Sequence, residues 1–237
     1  MLIPNGLLEL VKNRKIEMTR TNLIFKLLLV SIVLGFMGMN LTQQEKKEIV
    51  CFGDSITHGA QVGGHSWVYL LQNGHKDIDF INAGRNGRKT SDKEELLPVL
   101  NKYPNPDFIL IFLGVNDLKN GNDSMVNQCV NNMDWMIKRI KETDPSTRII
   151  ILSPTDINLK TMSPLNVGKK YNENTKKSLV ELEKKYEQLA VKDSTGFISL
   201  LHTISPSNYA DGLHPNIKGQ SEIAAKIWKS LTRNYFH

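Results

Sequence analysis

The sequence predicts an α/β protein in which five parallel strands form one sheet with helices on both faces. Apolar segments of strand length alternate with segments of helical periodicity, and this pair recurs five times along the chain. The strand at Phe108–Leu113 is apolar throughout, as expected where both faces of a sheet are covered. With 237 residues, no internal repeat and no low-complexity tract, the chain suits one or two domains.

The predicted strands are short apolar runs that end at turn residues. The first of them stops at Gly53, and a polar Asp-Ser pair follows at once. In chain order the strands are Glu48–Phe52, Ile78–Asn82, Phe108–Leu113, Arg148–Leu152 and Phe197–Leu200.

The predicted helices lie between these strands and carry recognisable start and stop signals. Ser91 with Glu94 forms a capping box that opens a short helix, which Pro98 bends. One long helix ends at Asp144-Pro145 and carries an apolar face that comprises Val130, Met133, Ile137 and Ile140. The other predicted helices are Ser66–Gln72, Lys169–Ala190 and Ile217–Leu231, and the long one is Ser124–Thr143.

The N-terminal segment, residues 1–41, predicts an export signal rather than part of the fold. Its uncharged run Leu27–Met39 follows basic residues, is short for a membrane span and is typical of a signal peptide. No A-x-A cleavage motif follows, so an uncleaved membrane anchor and a buried helix stay open. Met18 is an alternative start, with residues 1–17 as an upstream extension. We expect the folded domain at residues 42–237 in the periplasm or outside the cell.

Charge and cysteine usage narrow the function classes. The net charge is +6, but half of it lies in the first 41 residues, and no basic stripe with interleaved aromatic residues follows. Nucleic-acid binding is therefore disfavoured. Cys51 lies in a predicted strand and Cys129 in a predicted helix, which favours two buried free thiols. An exported protein could also pair them.

Polar clusters follow the predicted strands where the carboxyl ends of a parallel sheet meet, the edge at which such sheets bind ligands. The clusters are Gly-Asp-Ser at 53–55, "NAGRNG" at 82–87, "GVND" at 114–117 and "DGLHPN" at 211–216. A random scatter of turn residues would occupy both edges of the sheet. The sequence therefore predicts one site on one edge.

The residue types in these clusters suit nucleophilic catalysis. Ser55 follows a strand directly, where it is either a helix cap or an exposed nucleophile. Asp211 and His214 are three residues apart, so Asp211 can hold one ring nitrogen of His214 and leave the other free as a base. Pro215 biases His214 away from helical geometry, although the same residues also form an ordinary turn. His58 competes for the base role but lacks a carboxylate partner at matching spacing.

Two further residues suit the stabilisation of negative charge. The amide of Asn116 can donate into an oxyanion hole or form an Asx-turn, and Gly87 offers bare backbone or a positive φ. Each turn explanation is adequate alone. In this order on one edge, however, serine, glycine, asparagine and Asp-x-x-His are hard to attribute to turns. Asp54 and Asp117 are interpreted as hydrogen-bonding structural residues.

The four clusters resemble the sequence blocks of the SGNH hydrolases, also called GDSL-type esterases and lipases. "GDSI" resembles the nucleophile block, and "NAGRNG", "GVND" and "DGLHPN" resemble the blocks that follow, over about residues 48–231. The resemblance implies a flavodoxin-like three-layer α/β/α fold and ester hydrolysis through an acyl-serine. It also implies a triad of Ser55, Asp211 and His214, with an oxyanion hole of the Ser55 and Gly87 N–H groups and the Asn116 side chain. No metal or cofactor is needed.

The resemblance leaves the substrate open. We expect an esterase for small acyl groups, with O-acetyl groups on carbohydrate as the leading choice and a small molecule or glycan as the partner. A thioesterase or lysophospholipase and an acyltransferase remain alternatives, and a non-catalytic binding module is disfavoured. Membrane contact is expected only through an N-terminal anchor, and the oligomeric state stays open. The loops Ser153–Gly168 and Gly59–Gly64 are expected to shape substrate choice.

Overall fold

A computed structural model of the protein describes residues 46–236 and isolated helical positions between Glu9 and Lys26. The chain divides by its internal contacts into residues 1–45 and residues 46–237. Within the described residues, no helix has the length and apolar character that crossing a membrane requires. The predicted signal segment, Leu27–Met39, lies outside the described residues, so a division after residue 41 stays a prediction.

The sheet has five parallel strands in the order β2-β1-β3-β4-β5. The strands are β1 Lys47–Gly53, β2 Ile78–Gly84, β3 Phe108–Phe112, β4 Arg148–Leu152 and β5 Gly196–Ile198. From β1 the chain first adds β2 on one side and then β3, β4 and β5 on the other, so the strand order reverses between β1 and β3. Sheets of this order bind ligands in the crevice at that reversal, beyond the carboxyl ends of the strands. The predicted five-stranded parallel fold is confirmed.

Seven helices lie within the described range 46–236, and most of them pack against the sheet. They are α1 Ser55–His58, α2 Trp67–Gly74, α3 Leu96–Lys102, α4 Asp123–Thr143, α5 Pro164–Gly168, α6 Glu173–Lys192 and α7 Ile217–Asn234. Apolar side chains of α2 and α7 form one core with one face of the sheet, and those of α3, α4 and α6 form a second core with the other. The molecule therefore has the three predicted layers.

The strand β3 shows why both faces are buried. Its side chains point alternately to the two cores, and each is at most 2% exposed. The sheet also separates the two cysteines, because Cys51 belongs to the core of α2 and α7 while Cys129 belongs to the opposite core. Both are buried free thiols, as predicted, and the sheet between them rules out the disulfide.

Predicted and observed boundaries differ by up to four residues, and three of the differences have a clear physical reason. The helix predicted to start at Lys169 starts at Glu173, because Lys170 has a left-handed φ of +67° and the Asn172 side chain caps the helix. Ser91 is not a cap, since Asp92 instead accepts the Lys89 N–H at 3.0 Å and opens a 3₁₀ turn before α3. The last strand ends two residues earlier than predicted, where the Leu200 N–H donates to the Ser153 hydroxyl rather than to β4.

Candidate active site

Ser55 opens a single helical turn, α1, directly after β1. The Asp54 side chain caps this turn by accepting the Ile56 N–H at 2.9 Å. A Cβ atom at Gly53 would lie 2.1 Å from the Thr57 hydroxyl oxygen, so only glycine lets the turn fold back on the strand. Ser55 is thereby held at the carboxyl edge of the sheet, where it is 7% exposed.

A chain of hydrogen bonds joins Ser55 to His214 and Asp211. The Ser55 Oγ lies 3.0 Å from His214 Nε2, and His214 Nδ1 lies 2.8 Å from Asp211 Oδ2. The Asp211 carboxylate can only accept, so Nδ1 carries the hydrogen and Nε2 is free to accept the serine proton. The two residues predicted to act as base and orienting acid therefore lie together beside the predicted nucleophile.

The turn that carries His214 is held by hydrogen bonds from its own backbone to the Asp211 side chain. The Asp211 Oδ1 atom accepts the N–H groups of Leu213 and His214 at 3.1 and 2.7 Å. Gly212 has a φ of +80°, and a Cβ atom there would lie 2.5 Å from the Met162 Cα. His214 thus lies outside any helix on a tightly packed turn, in agreement with the predicted geometry.

Asn116 follows β3 and lies next to the first strand's turn. Its amide nitrogen Nδ2 donates to the Arg88 carbonyl at 3.2 Å and lies 3.5 Å from Asp54 Oδ2. Its amide oxygen Oδ1 accepts the Tyr171 hydroxyl at 2.9 Å. Only 6% of Asn116 is exposed. The predicted oxyanion donor is therefore a buried amide with defined orientation.

Gly87 lies one residue before the carbonyl that Asn116 contacts. It is exposed and has a φ of +74°, the left-handed region that glycine adopts at no steric cost. Among the residues that the structure describes, no backbone carbonyl accepts the N–H of Gly87 or that of Ser55. Both groups remain available to a ligand, as an oxyanion hole requires.

The carboxylates around the site differ in their electrostatics. Burial raises the pKa of Asp54 to about 7, although the Ile56 N–H and His214 oppose this shift. Burial also acts to raise the pKa of Asp211, but the hydrogen bonds from the His214 ring and backbone outweigh it and lower that pKa. Asp211 therefore stays ionised beside His214, which stabilises a positively charged imidazole ring.

Asp117 has the structural role expected from the sequence. Its carboxylate accepts the Thr90 N–H at 3.0 Å and the Thr90 hydroxyl at 2.7 Å, which ties the loop after β3 to the turn before α3. Burial raises the pKa of Asp117, although the hydrogen bonds from Thr90 oppose this shift. Asp117 is thus engaged by the fold rather than directed at the site.

The three histidines of the N-terminal half are not part of the hydrogen-bond chain that joins Ser55, His214 and Asp211. His58 is exposed, His65 Nδ1 lies 3.0 Å from the Val62 carbonyl, and the His75 ring stacks on Trp228 with centroids 3.3 Å apart. Within the part of the chain that the structure describes, no group of three or more His, Cys, Asp or Glu side chains could hold a metal ion.

Two contacts of the site escaped the sequence prediction. Arg88 is 5% exposed, and its guanidinium donates to the Gly53 and Ala83 carbonyls at 2.6 Å each, which joins the ends of β1 and β2. The predicted helix Lys169–Ala190 includes Tyr171, which precedes the observed helix. The pattern Asn172-x-x-Thr175, a capping box in the structure, was the signal that could have moved it into the connection before the helix.

Comparison with known proteins agrees with the resemblance of the four sequence motifs. Residues 51–221 match the GDSL-like Lipase/Acylhydrolase family, and this span contains all five predicted site residues. An "Arylesterase" of Vibrio mimicus is 27% identical over 215 residues, which are 87% of this chain and 98% of that relative.

Solved structures share the fold. The psychrotrophic esterase EstA from a Pseudoalteromonas species is 21% identical with a TM-score of 0.63, covering 79% of this chain and 98% of that one. A carbohydrate acetylesterase family member from Sinorhizobium meliloti is 19% identical with a TM-score of 0.63, covering 78% and 97%. At these identities the likeness concerns the fold alone.

Proposed function

Because the chain belongs to the GDSL-like lipase/acylhydrolase family, we propose that it cleaves small acyl esters through an acyl-serine intermediate on Ser55. The family resemblance predicted from the four motifs is confirmed, and the chain is a carboxylic ester hydrolase. The finer proposal rests chiefly on one observation, the 3.0 Å contact between the Ser55 hydroxyl and His214. A serine hydroxyl is a weak nucleophile until an adjacent base accepts its proton.

In the proposed acylation step, His214 Nε2 accepts the Ser55 proton as Oγ attacks the ester carbonyl. The Asp211 carboxylate, 2.8 Å from His214 Nδ1, stabilises the imidazolium that forms. His214 then protonates the leaving alcohol, and the carbonyl–oxygen bond of the ester breaks. A water molecule repeats the sequence on the acyl-serine and releases the carboxylic acid.

Negative charge on the carbonyl oxygen is stabilised by three donors in this proposal. They are the Ser55 N–H, the Gly87 N–H and the Asn116 amide, of which the first two meet no backbone acceptor among the described residues. Asn116 donates one amide hydrogen to the Arg88 carbonyl at 3.2 Å. The second hydrogen has only the long 3.5 Å approach to Asp54 and is free for the oxyanion.

The proposed acyl group is small, with acetyl as the leading choice. Ser55 and Asn116 are 7% and 6% exposed, so the reacting atoms lie largely screened from solvent. The name of one similar protein, a carbohydrate acetylesterase family member, agrees with an acetyl group, whereas the arylesterase is named for the alcohol part of its ester. O-acetyl carbohydrate is accordingly our first choice of natural substrate, with thioesters, lysophospholipids and acyl transfer as the competing classes.

A panel of substrates tests this proposal. We expect hydrolysis of p-nitrophenyl acetate with a kcat/KM that falls from acetate through butyrate to octanoate, and release of acetate from acetylated glycans. Parallel assays with acyl-CoAs and lysophospholipids cover the competing hydrolases, and an added alcohol acceptor reveals transfer. Preference for octanoate or for acyl-CoA would contradict the small-ester proposal, while labelling by a serine-reactive phosphonate tests the acyl-serine separately.

A further inference from the structure

We propose that Tyr171 is a positioning residue that orients the Asn116 amide for oxyanion binding. The inference rests on the proposed function, because it concerns a donor of the proposed oxyanion hole. Tyr171 lies in the connection between α5 and α6, is 3% exposed, and places its hydroxyl 2.9 Å from Asn116 Oδ1. This hydroxyl is the one side-chain donor that contacts Oδ1 in the described part of the chain.

The direction of the bond follows from the neighbouring groups. Asn116 Nδ2 lies 3.2 Å from the Arg88 carbonyl, which can only accept, so the amide nitrogen must face Arg88 and the oxygen must face Tyr171. Burial, with the charges of nearby carboxylates, raises the pKa of Tyr171. The phenol therefore keeps its proton and donates it to Oδ1.

This bond determines which atom of the amide meets the substrate. A 180° rotation of the Asn116 amide about its Cβ–Cγ bond would exchange Nδ2 and Oδ1. The amide oxygen would then face the developing oxyanion. The Arg88 carbonyl opposes this rotation from one end of the amide and the Tyr171 hydroxyl from the other. Without the hydroxyl, Oδ1 would be a buried acceptor with no donor, and an amide that turned to find one would lose its alignment.

The connection that carries Tyr171 is anchored to the other half of the site. The Tyr171 N–H donates to the Asn166 carbonyl at 3.2 Å, and Asn166 Nδ2 donates to the Asp211 carbonyl at 3.2 Å. The Ser163 N–H donates to the same Asp211 carbonyl at 3.0 Å. Tyr171 is therefore fixed relative to the orienting carboxylate as well as to the oxyanion donor, which a positioning role requires.

A purely structural role predicts something different. The Tyr171 ring packs in the core of α3, α4 and α6, and phenylalanine would preserve that packing. Tyr186 provides a matched control, since it is fully buried in the same core and its hydroxyl donates to the Leu113 carbonyl at 3.4 Å. Tyr186→Phe removes a buried hydroxyl without touching Asn116.

The test measures kcat and KM on p-nitrophenyl acetate together with melting temperature. We expect Tyr171→Phe to lower kcat roughly tenfold with KM changed less than about twofold. In an Asn116→Ala background the same substitution should change kcat by less than about twofold, because the amide that it orients is gone. Tyr186→Phe should keep the kcat of the parent protein even if it melts earlier.

The opposing results are equally specific. An unchanged kcat in Tyr171→Phe, or an equal fractional loss with and without the Asn116 amide, would overturn the positioning role. Ser55→Ala separates this failure from that of the proposed function. If Ser55→Ala still turns over substrate, the acyl-serine proposal fails; if it is inactive while Tyr171→Phe keeps full kcat, only the role of Tyr171 fails.

Discussion

The Nε2 atom of His214 lies 3.0 Å from the Ser55 hydroxyl oxygen, although 159 residues separate the two along the chain. Gln220, fully buried at the start of α7, helps to hold them together. Its side chain accepts the Trp67 N–H at 2.8 Å and donates to the Ile56 carbonyl at 3.2 Å. The helix that follows His214 is thereby bound to the turn that carries Ser55.

Replacement of Ser55 by alanine tests the nucleophile. We expect Ser55→Ala to abolish turnover of p-nitrophenyl acetate and labelling by a fluorophosphonate, because no other hydroxyl occupies the position 3.0 Å from His214 Nε2 in the described residues. The melting temperature should stay close to that of the parent, since one small side chain is lost. Persistent labelling of the alanine variant would refute the assignment.

The choice of base predicts a ranking of two histidine variants. His214→Ala should lower kcat by several orders of magnitude, because the proton acceptor and its Asp211 partner no longer act on Ser55. His58→Ala should have a small effect, since that side chain is exposed. Steady-state kinetics on both variants measure the two losses of kcat. A larger loss in His58→Ala than in His214→Ala would exclude His214 as the base.

Asn116→Ala should lower kcat by about 10²–10³ with little change in KM, the usual loss for one oxyanion donor. The structure adds an effect on stability, because the Arg88 carbonyl and the Tyr171 hydroxyl lose their partner. Asn116→Asp should be at least as damaging to kcat, since a carboxylate would face the oxyanion. A folded alanine variant with normal kcat would remove Asn116 from the oxyanion hole.

The raised pKa of Asp54 predicts a pH dependence of stability. Between its ordinary value of 3.8 and its folded value of about 7, the folded state binds more protons than the unfolded state. The contribution of Asp54 to the free energy of unfolding therefore falls as pH rises through this window and is constant above it. Asp54→Asn keeps an acceptor for the Ile56 N–H but cannot ionise.

Urea unfolding at several pH values between about 4 and 8 measures this effect. We expect the difference in unfolding free energy between Asp54→Asn and the parent to shift in favour of the variant as pH rises to about 7. Ionisable groups that do not interact with Asp54 contribute alike to both proteins and cancel in the comparison, whereas His214, Asp117 and Arg88 interact with its charge. Parallel curves across the whole range would show that Asp54 keeps an ordinary pKa in the fold.

Gln220→Leu should destabilise the fold by about 2–4 kcal/mol, because the buried Trp67 N–H and Ile56 carbonyl both lose their partner. Activity of the folded fraction should fall as well, since α7 is no longer bound to the turn of Ser55. Gln188→Leu, on the exposed surface of α6, is the matched control. Equal stability of the two variants would contradict a stabilising role for the Gln220 hydrogen bonds.

The sequence was informative where chemistry and periodicity coincide. Strand β4 was predicted with its observed ends, and the four polar clusters identified the residues that meet at one edge of the sheet. What it could not supply was the identity of partners distant along the chain. No local sequence pattern predicts that Arg88 joins two strand ends or that Gln220 contacts residues more than 150 positions away.

The connection after β4 shows the limit most clearly. Lys170 has a left-handed φ of +67°, a conformation that a glycine usually marks in the sequence. Without that glycine, the helical periodicity wrongly predicted a helix that includes Tyr171. The expectation that this loop shapes substrate choice stays a prediction. Its contacts include the Asn116 amide and the Asp211 carbonyl, which a sequence pattern of local range cannot reveal.

The same connection matters to anyone who would redesign this protein. A loop of this kind is a natural candidate for wholesale exchange when a different selectivity is wanted. Here such a graft would remove Tyr171 and Asn166 together with the loop, so we expect kcat to fall along with the change in preference. Leu165 and Val167, which are 68% and 58% exposed, are the positions where a mutant library can vary the surface of this connection while its anchors stay fixed.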